Sequence, residues 1–163
     1  MRAIDVATYF LSKDDKRELF NKNLIHRNGR DFYEGNARLN KYLHIAQNLY
    51  IAKTGSVLFP DEMYAYDNGA VVASVQENYA VLYGRHTVPA LPADISTFLD
   101  KVFAFLKNAS LDELIDLSHE DTEWEEKHIY YAKKDQRMDP MRHVEEYKEQ
   151  YSDALRVMED IPT

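Results

Sequence analysis

The residues that could carry chemistry are few, and each kind of chemistry makes its own demand on spacing. Six histidines invite a metal reading. His119-Glu120 opens like the zinc-binding helix signature, which needs a second histidine four residues on, one turn along the same face; Glu123 stands there instead. Glu125-Glu126-Lys127-His128 holds one Glu-x-x-His, whereas a di-iron carboxylate site takes two such pairs and two more glutamates from other helices. No metal site is expected, and a histidine hydrogen-bonded beside Trp124 is the expected arrangement. Ser56, Ser74 and Ser118 lack the flanking glycines of a nucleophile elbow. Ser118 and His119 are neighbours, and neighbours on a helix point apart. Cysteine is absent, which removes thiolate nucleophiles, thiolate metal sites and disulfides together. The five scattered glycines build neither a phosphate loop nor a dinucleotide fingerprint. Carboxylates are plentiful, but in exposed helix caps nothing raises their pKa. The sequence therefore points to a non-enzymatic chain with no catalytic residue and no cofactor.

The elements around these residues are mostly helical. Leu39, Tyr42, Leu43, Ala46, Leu49 and Tyr50 recur at helical spacing within 37–53, and Ile45 and Ile51 widen the stripe. That helix is expected at the centre, touched from several sides, and ended by Thr54-Gly55. Ala3–Ser12 is expected as an opening helix, followed by a short helix near 15–22 and then a loop or hairpin around Asn28-Gly29. Met63–Tyr66 has the aromatic, β-favouring composition of a short strand and Asp67-Asn68-Gly69 that of a turn; a short helix over 70–77 and a short strand over Tyr79–Tyr83 complete the middle. Ile95, Phe98, Leu99, Val102, Phe103 and Leu106 form the next apolar stripe, in a helix over 96–107. Ser110–Glu113 and Thr122–Glu125 both carry capping-box spacing, the second opening a helix to about Lys134. Asp139-Pro140 starts a last helix over 141–159. The fold class is mainly α, a helical domain with a few short strands, and the 163 residues are enough for one domain with its own core.

The net charge of −8 is unevenly spread. Residues 1–50 hold nine Lys/Arg against six Asp/Glu, while residues 101–163 hold nine against sixteen. Asp112, Glu113, Asp116, Glu120, Asp121, Glu123, Glu125 and Glu126 fall in a stretch without one base. Such a stretch repels a phosphate backbone and attracts a basic partner. Lys13, Lys16, Arg17, Lys22, Arg27, Arg30, Arg38 and Lys41, with His26, Phe32 and Tyr33 between them, give the alternative, a nucleic-acid-contacting regulator acting through residues 13–41. No apolar run reaches membrane-spanning length and no signal peptide is visible, so a cytoplasmic protein is expected.

Four ordered blocks add a resemblance. Leu39-Asn40-Lys41-Tyr42-Leu43-His44-Ile45-Ala46-Gln47-Asn48-Leu49-Tyr50-Ile51-Ala52-Lys53-Thr54-Gly55 resembles the leading helix of the Panacea domain family of SocA-like antitoxins and phage-associated proteins. Leu58-Phe59 with Tyr64–Val72, Leu111–Trp124 with its Ser118-His119, and the opening Ala3–Leu11 are similar to the family's other blocks. Ala70 stands where proline is usual, Ser118 where threonine is, and the loop over 23–36 is longer than typical. The resemblance implies a compact α-rich domain, often encoded beside a toxin or in a prophage. It implies a cognate protein toxin as partner, neutralised by direct binding or delivered to an ATP-dependent protease, and it brings no catalytic residues. Gln47, Tyr66, Asn68, His119, Glu123, Trp124 and Glu126 are the partner-binding candidates; the matched positions among them, with Gly69, could equally hold the central helix against the Gly69 turn and the Trp124 helix. The helix over 141–159 is expected as an addition to the family core.

Overall fold

The computed structural model describes residues 1–130 and 136–162, with the side chains of Ile129 and Tyr130 left aside. The elements are α1 (Ala3–Ser12), β1 (Leu24–Arg27), β2 (Arg30–Tyr33), α2 (Glu34–Thr54), β3 (Met63–Tyr66), β4 (Gly69–Val72), α3 (Ala73–Gln76), α4 (Tyr79–Tyr83), α5 (Ala93–Leu106), α6 (Leu111–His119), α7 (Thr122–Tyr130), a 3-10 turn (Pro140–His143), α8 (Val144–Gln150) and α9 (Ser152–Glu159). The mainly α reading holds: among the described residues the strands form only two antiparallel hairpins, β1–β2 and β3–β4.

The long helix α2 is the axis of the fold. Burial runs round its whole circumference from Arg38 to Asn48, and α1, α5, α6, α8 and β4 all pack on it. A helix enclosed on every side must be apolar or must pair its polar groups internally. On one side Tyr42 sits among Phe10, Phe20 and Phe103, all edge-on at ring centroids 5.2–6.1 Å apart. The other side of α2 is polar and builds the site below. Gly55 ends the helix in the left-handed region, φ +77°, donating its amide to Ile51.

Several local expectations are corrected. No helix forms over 15–22. There the Asp14 carboxylate takes the amides of Glu18, Leu19 and Phe20 at 2.8–3.0 Å, and Arg17, buried with φ +54°, donates to the carbonyls of Leu11, Asp14 and Tyr83. Two side chains thus satisfy the backbone that a helix would otherwise satisfy. Residues 70–77 are a strand followed by a helix, because pairing with Met63–Tyr66 captures Gly69–Val72 first. Tyr79–Tyr83 is helical rather than extended, with Tyr79 and Leu82 turned inward one turn apart. The Ser110–Glu113 capping box forms in both directions. At α7, however, the Asp121 side chain accepts the Glu123 amide at 2.9 Å, so Asp121 and not Thr122 caps the helix. The expected end of that helix near Lys134 lies outside the described residues. The last helix breaks at Tyr151 into α8 and α9, after a 3-10 start at Pro140. No helix among the described residues is long and apolar enough to cross a membrane.

Candidate functional site

The polar side of α2 faces the β3–β4 hairpin, and the pairing register explains what lies between them. With Tyr66 opposite Gly69, residues Ala70 and Val72 turn their backbone groups away from β3, toward an edge that would otherwise be open. Side chains close that edge. Asn40 Oδ1 accepts the Val72 amide at 2.8 Å, Ser118 Oγ accepts the Ala70 amide at 3.0 Å, and Lys41 Nζ donates to the Ala70 carbonyl at 3.0 Å. The opposite edge is covered by residues 136–138, through Ala65 N to Gln136 O and Met138 N to Met63 O, both 2.8 Å. Neither edge of this hairpin is left to recruit another strand.

Ser118 continues the chain inward. Its hydroxyl meets His44 Nδ1 at 2.9 Å, and His44 Nε2 meets Asp121 Oδ2 at 2.6 Å. Asn48 and the Tyr147 hydroxyl also donate to Asp121, at 2.9 and 2.6 Å. Burial works to raise the Asp121 pKa, but the bonds from His44, Tyr147 and Asn48 outweigh it and hold the carboxyl below its ordinary range. Ser118, His44 and Asp121 have the connectivity of a hydrolase triad. All three are nonetheless fully enclosed, and the serine oxygen already accepts the Ala70 amide. The relay ties α2, α6, β4 and α8 to one another.

Trp124 closes the outer end. Its indole Nε1 donates to the Tyr66 carbonyl at 3.0 Å, and its ring lies between His119 and His128, with centroids 3.9 and 4.5 Å away and planes within 15° of parallel. His128 Nε2 reaches Asp67 at 2.8 Å across the hairpin turn. Burial lowers the His119 pKa. The expected histidine beside Trp124 is thus a stacked pair.

A second cluster joins α7 to the 3-10 turn. Glu123 was expected among the exposed acids; it is fully buried, accepting His143 Nε2 at 3.0 Å, Arg142 at 3.2 Å and the Asp139 amide. Burial disfavours the His143 charge, but hydrogen bonds to Glu146 and Glu123 outweigh it and raise the pKa. Glu123, Glu126 and His143 place their ligand atoms within 4.8 Å of one another, the only grouping with metal-ligand reach among the described residues. The Arg142 guanidinium already lies 3.2 and 3.6 Å from the two carboxylates, so they form an ion-pair cluster.

A family model for the antitoxin SocA-like, Panacea domain matches residues 39–125, just over half of the chain. The chain belongs to that family. No curated protein and no solved structure matches it. The Panacea match begins at Leu39 and ends at Glu125, so it contains the hairpin, the side chains that close its β4 edge, and His119 and Trp124, while His128 and the cover of the β3 edge fall beyond it.

The candidates named from sequence divide between interior and surface. Gln47 is buried and spans Leu58 N, Phe59 N and Phe59 O, fixing the chain after α2. Trp124 and Glu123 are buried; Tyr66, Asn68, His119 and Glu126 are partly open. Asn68 bonds Asn28 at 2.7 Å and so joins the two hairpin turns. Lys41, His44, Asn48, Asp121 and His143 were missed. Their signal was the run Lys41, His44, Asn48 at one-turn spacing within an otherwise apolar helix, where polar groups must find partners inside. Of the basic stretch, Arg17, Arg38 and Lys41 turn inward, Lys13 pairs with Asp100 and Arg27 with Asp112, which leaves no continuous basic face.

Proposed function

We propose that this chain is the antitoxin of a toxin–antitoxin pair, acting in the cytoplasm by binding a protein toxin directly. Membership of the SocA-like antitoxin family carries the reading. Its surface agrees. Asp112, Asp116 and Glu120 recur at one-turn spacing on α6, with Glu113 and Glu125 beside them, and all five are exposed. This acidic face speeds encounter with a basic toxin and fixes orientation more than it adds affinity. A stable complex needs roughly 1,200–2,000 Å² of total buried surface; in this reading the acidic face, Glu126 and the turns at Tyr66 and Asn68 are the chain's share of it. Gln47, Glu123 and Trp124 act from within: Trp124 holds the hairpin at the Tyr66 carbonyl, Gln47 fixes the chain after α2 and Glu123 anchors the 3-10 turn. Occlusion is the mechanism; delivery of the bound toxin to an ATP-dependent protease is its extension. Residues 1–163 serve as one domain, with the segment after Met141 added to the family core.

Capture from the native host with the tagged chain, washed at high salt, tests the reading by mass spectrometry. A single small protein at equal stoichiometry, toxic when expressed alone, is the expected result. Recovery of nucleic acid that elutes with rising salt, and of no protein, contradicts it.

A further inference from the structure

A cleft of about 140 Å³ opens between the hairpin β1–β2 and the hairpin β3–β4, with α2 as its floor. Lys41 lies at that floor, 1% exposed. Its ammonium carries three N–H donors, and only one has an acceptor, the Ala70 carbonyl. Among the described residues no carboxylate pairs with it. A buried ammonium in this position is costly unless an anion meets it, and burial has already pushed its pKa down to about 7. At the rim stands Arg30, exposed, its side chain without a hydrogen-bond or ion-pair partner among the described residues. Phe32, Val71 and the Tyr66 ring form the walls between these two cations. The cleft asparagines are committed elsewhere: Asn40 to Asn36 and Val72, Asn36 to the Gln76 carbonyl, Asn68 to Asn28. The carboxylate on the lining, Asp31, is held 2.7 Å from His26.

We propose that this cleft is a binding site for a carboxylate, its two oxygens taken between the Arg30 guanidinium and the Lys41 ammonium. The planar fork of arginine matches a carboxylate with two parallel bonds, and a lysine adds a point charge. The first turn of α2 reaches the lining at Asn36 and Ala37, a helix start that also suits phosphate; the choice of a carboxylate therefore rests on the arginine fork and on the net charge of −8, which disfavours a multiply charged ligand. The proposal stands whether or not the chain neutralises a toxin.

Nuclear magnetic resonance on the isotope-labelled full chain tests it, at constant ionic strength balanced with chloride. The probes are sodium propionate, Nα-acetyl-glutamate α-amide and inorganic phosphate. A carboxylate probe gives saturable shifts at the Ala70, Lys41 and Arg30 amides. Arg30→Gln, an exposed change that leaves the fold alone, weakens them at least ten-fold, and Lys107→Gln, the same charge change elsewhere, does not. Lys41→Met abolishes them. Capped glutamate binding ten-fold tighter than propionate assigns the carboxylate to a polypeptide; equal binding assigns it to a free small molecule. Shifts that never saturate or that chloride reproduces mean an adventitious ion only, and overturn the proposal. So do unchanged affinity in Arg30→Gln and phosphate binding tighter than both carboxylates.

Discussion

Adding one carbon at Gly69 would place it 2.4 Å from Lys41 Cε and 2.8 Å from Ser118 Oγ, on a backbone with φ +104°. Glycine is needed here for two reasons, the left-handed conformation and the passage of the lysine stem. Gly69→Ala is expected to lower unfolding stability by about 2–3 kcal/mol, measured by denaturant titration. Lys41 itself has a pH signature. Its folded-state pKa of about 7 lies below the ordinary 10.5, so between those values the folded chain binds fewer protons than the unfolded one. Stability from this residue therefore rises as pH climbs from about 7 toward 10. Lys41→Met should flatten that rise, and an unchanged profile would show that the lysine is not desolvated. Ala70 matters through its amide, which Ser118 accepts; a proline at this position would have no N–H to give.

The shortest polar ties from the elements after α6 to α2 converge on one carboxylate. Asp121 alone receives His44, Asn48 and Tyr147 while capping α7, so Asp121→Asn unlatches α7 and α8 together and should cost about 3–5 kcal/mol. His143 carries the other latch. Its pKa is raised in the folded state, so its contribution is complete below the ordinary 6.5 and is lost as pH rises through the folded value. His143→Gln should cost about 2 kcal/mol at pH 6 and much less at pH 9, by thermal or chemical unfolding. Periodicity made α1, α2, α5, α6 and α8–α9 legible, because each buries a stripe that recurs every turn. Residues 15–22 and Tyr79–Tyr83 were misread because long-range partners decide them: Arg17 serves carbonyls at both Leu11 and Tyr83. The polar relay was equally hidden, since Ser118, His44 and Asp121 are brought together by packing from separate helices. Trp124 and its flanking histidines were legible, because α7 spaces Trp124 and His128 one turn apart.

Across the whole molecule, under the antitoxin reading, the interior sets shape and the surface serves recognition. Replacing Asp116 and Glu120 by lysine changes two exposed residues on one face of α6, so unfolding stability should shift by no more than about 0.5 kcal/mol. Association with the captured partner should slow about ten-fold or more at low salt and lose most of its ionic-strength dependence, as read by stopped-flow or surface-based kinetics. A rate equal to that of the unaltered chain would move recognition to the hairpin turns at Asn28 and Asn68. The most direct test of neutralisation is growth. The captured protein is expressed alone, with this chain, and with the Asp116→Lys, Glu120→Lys chain. The account predicts arrest alone, full rescue by the unaltered chain and weakened rescue by the charge-reversed one. Arrest that persists at equal expression of the unaltered chain would contradict it.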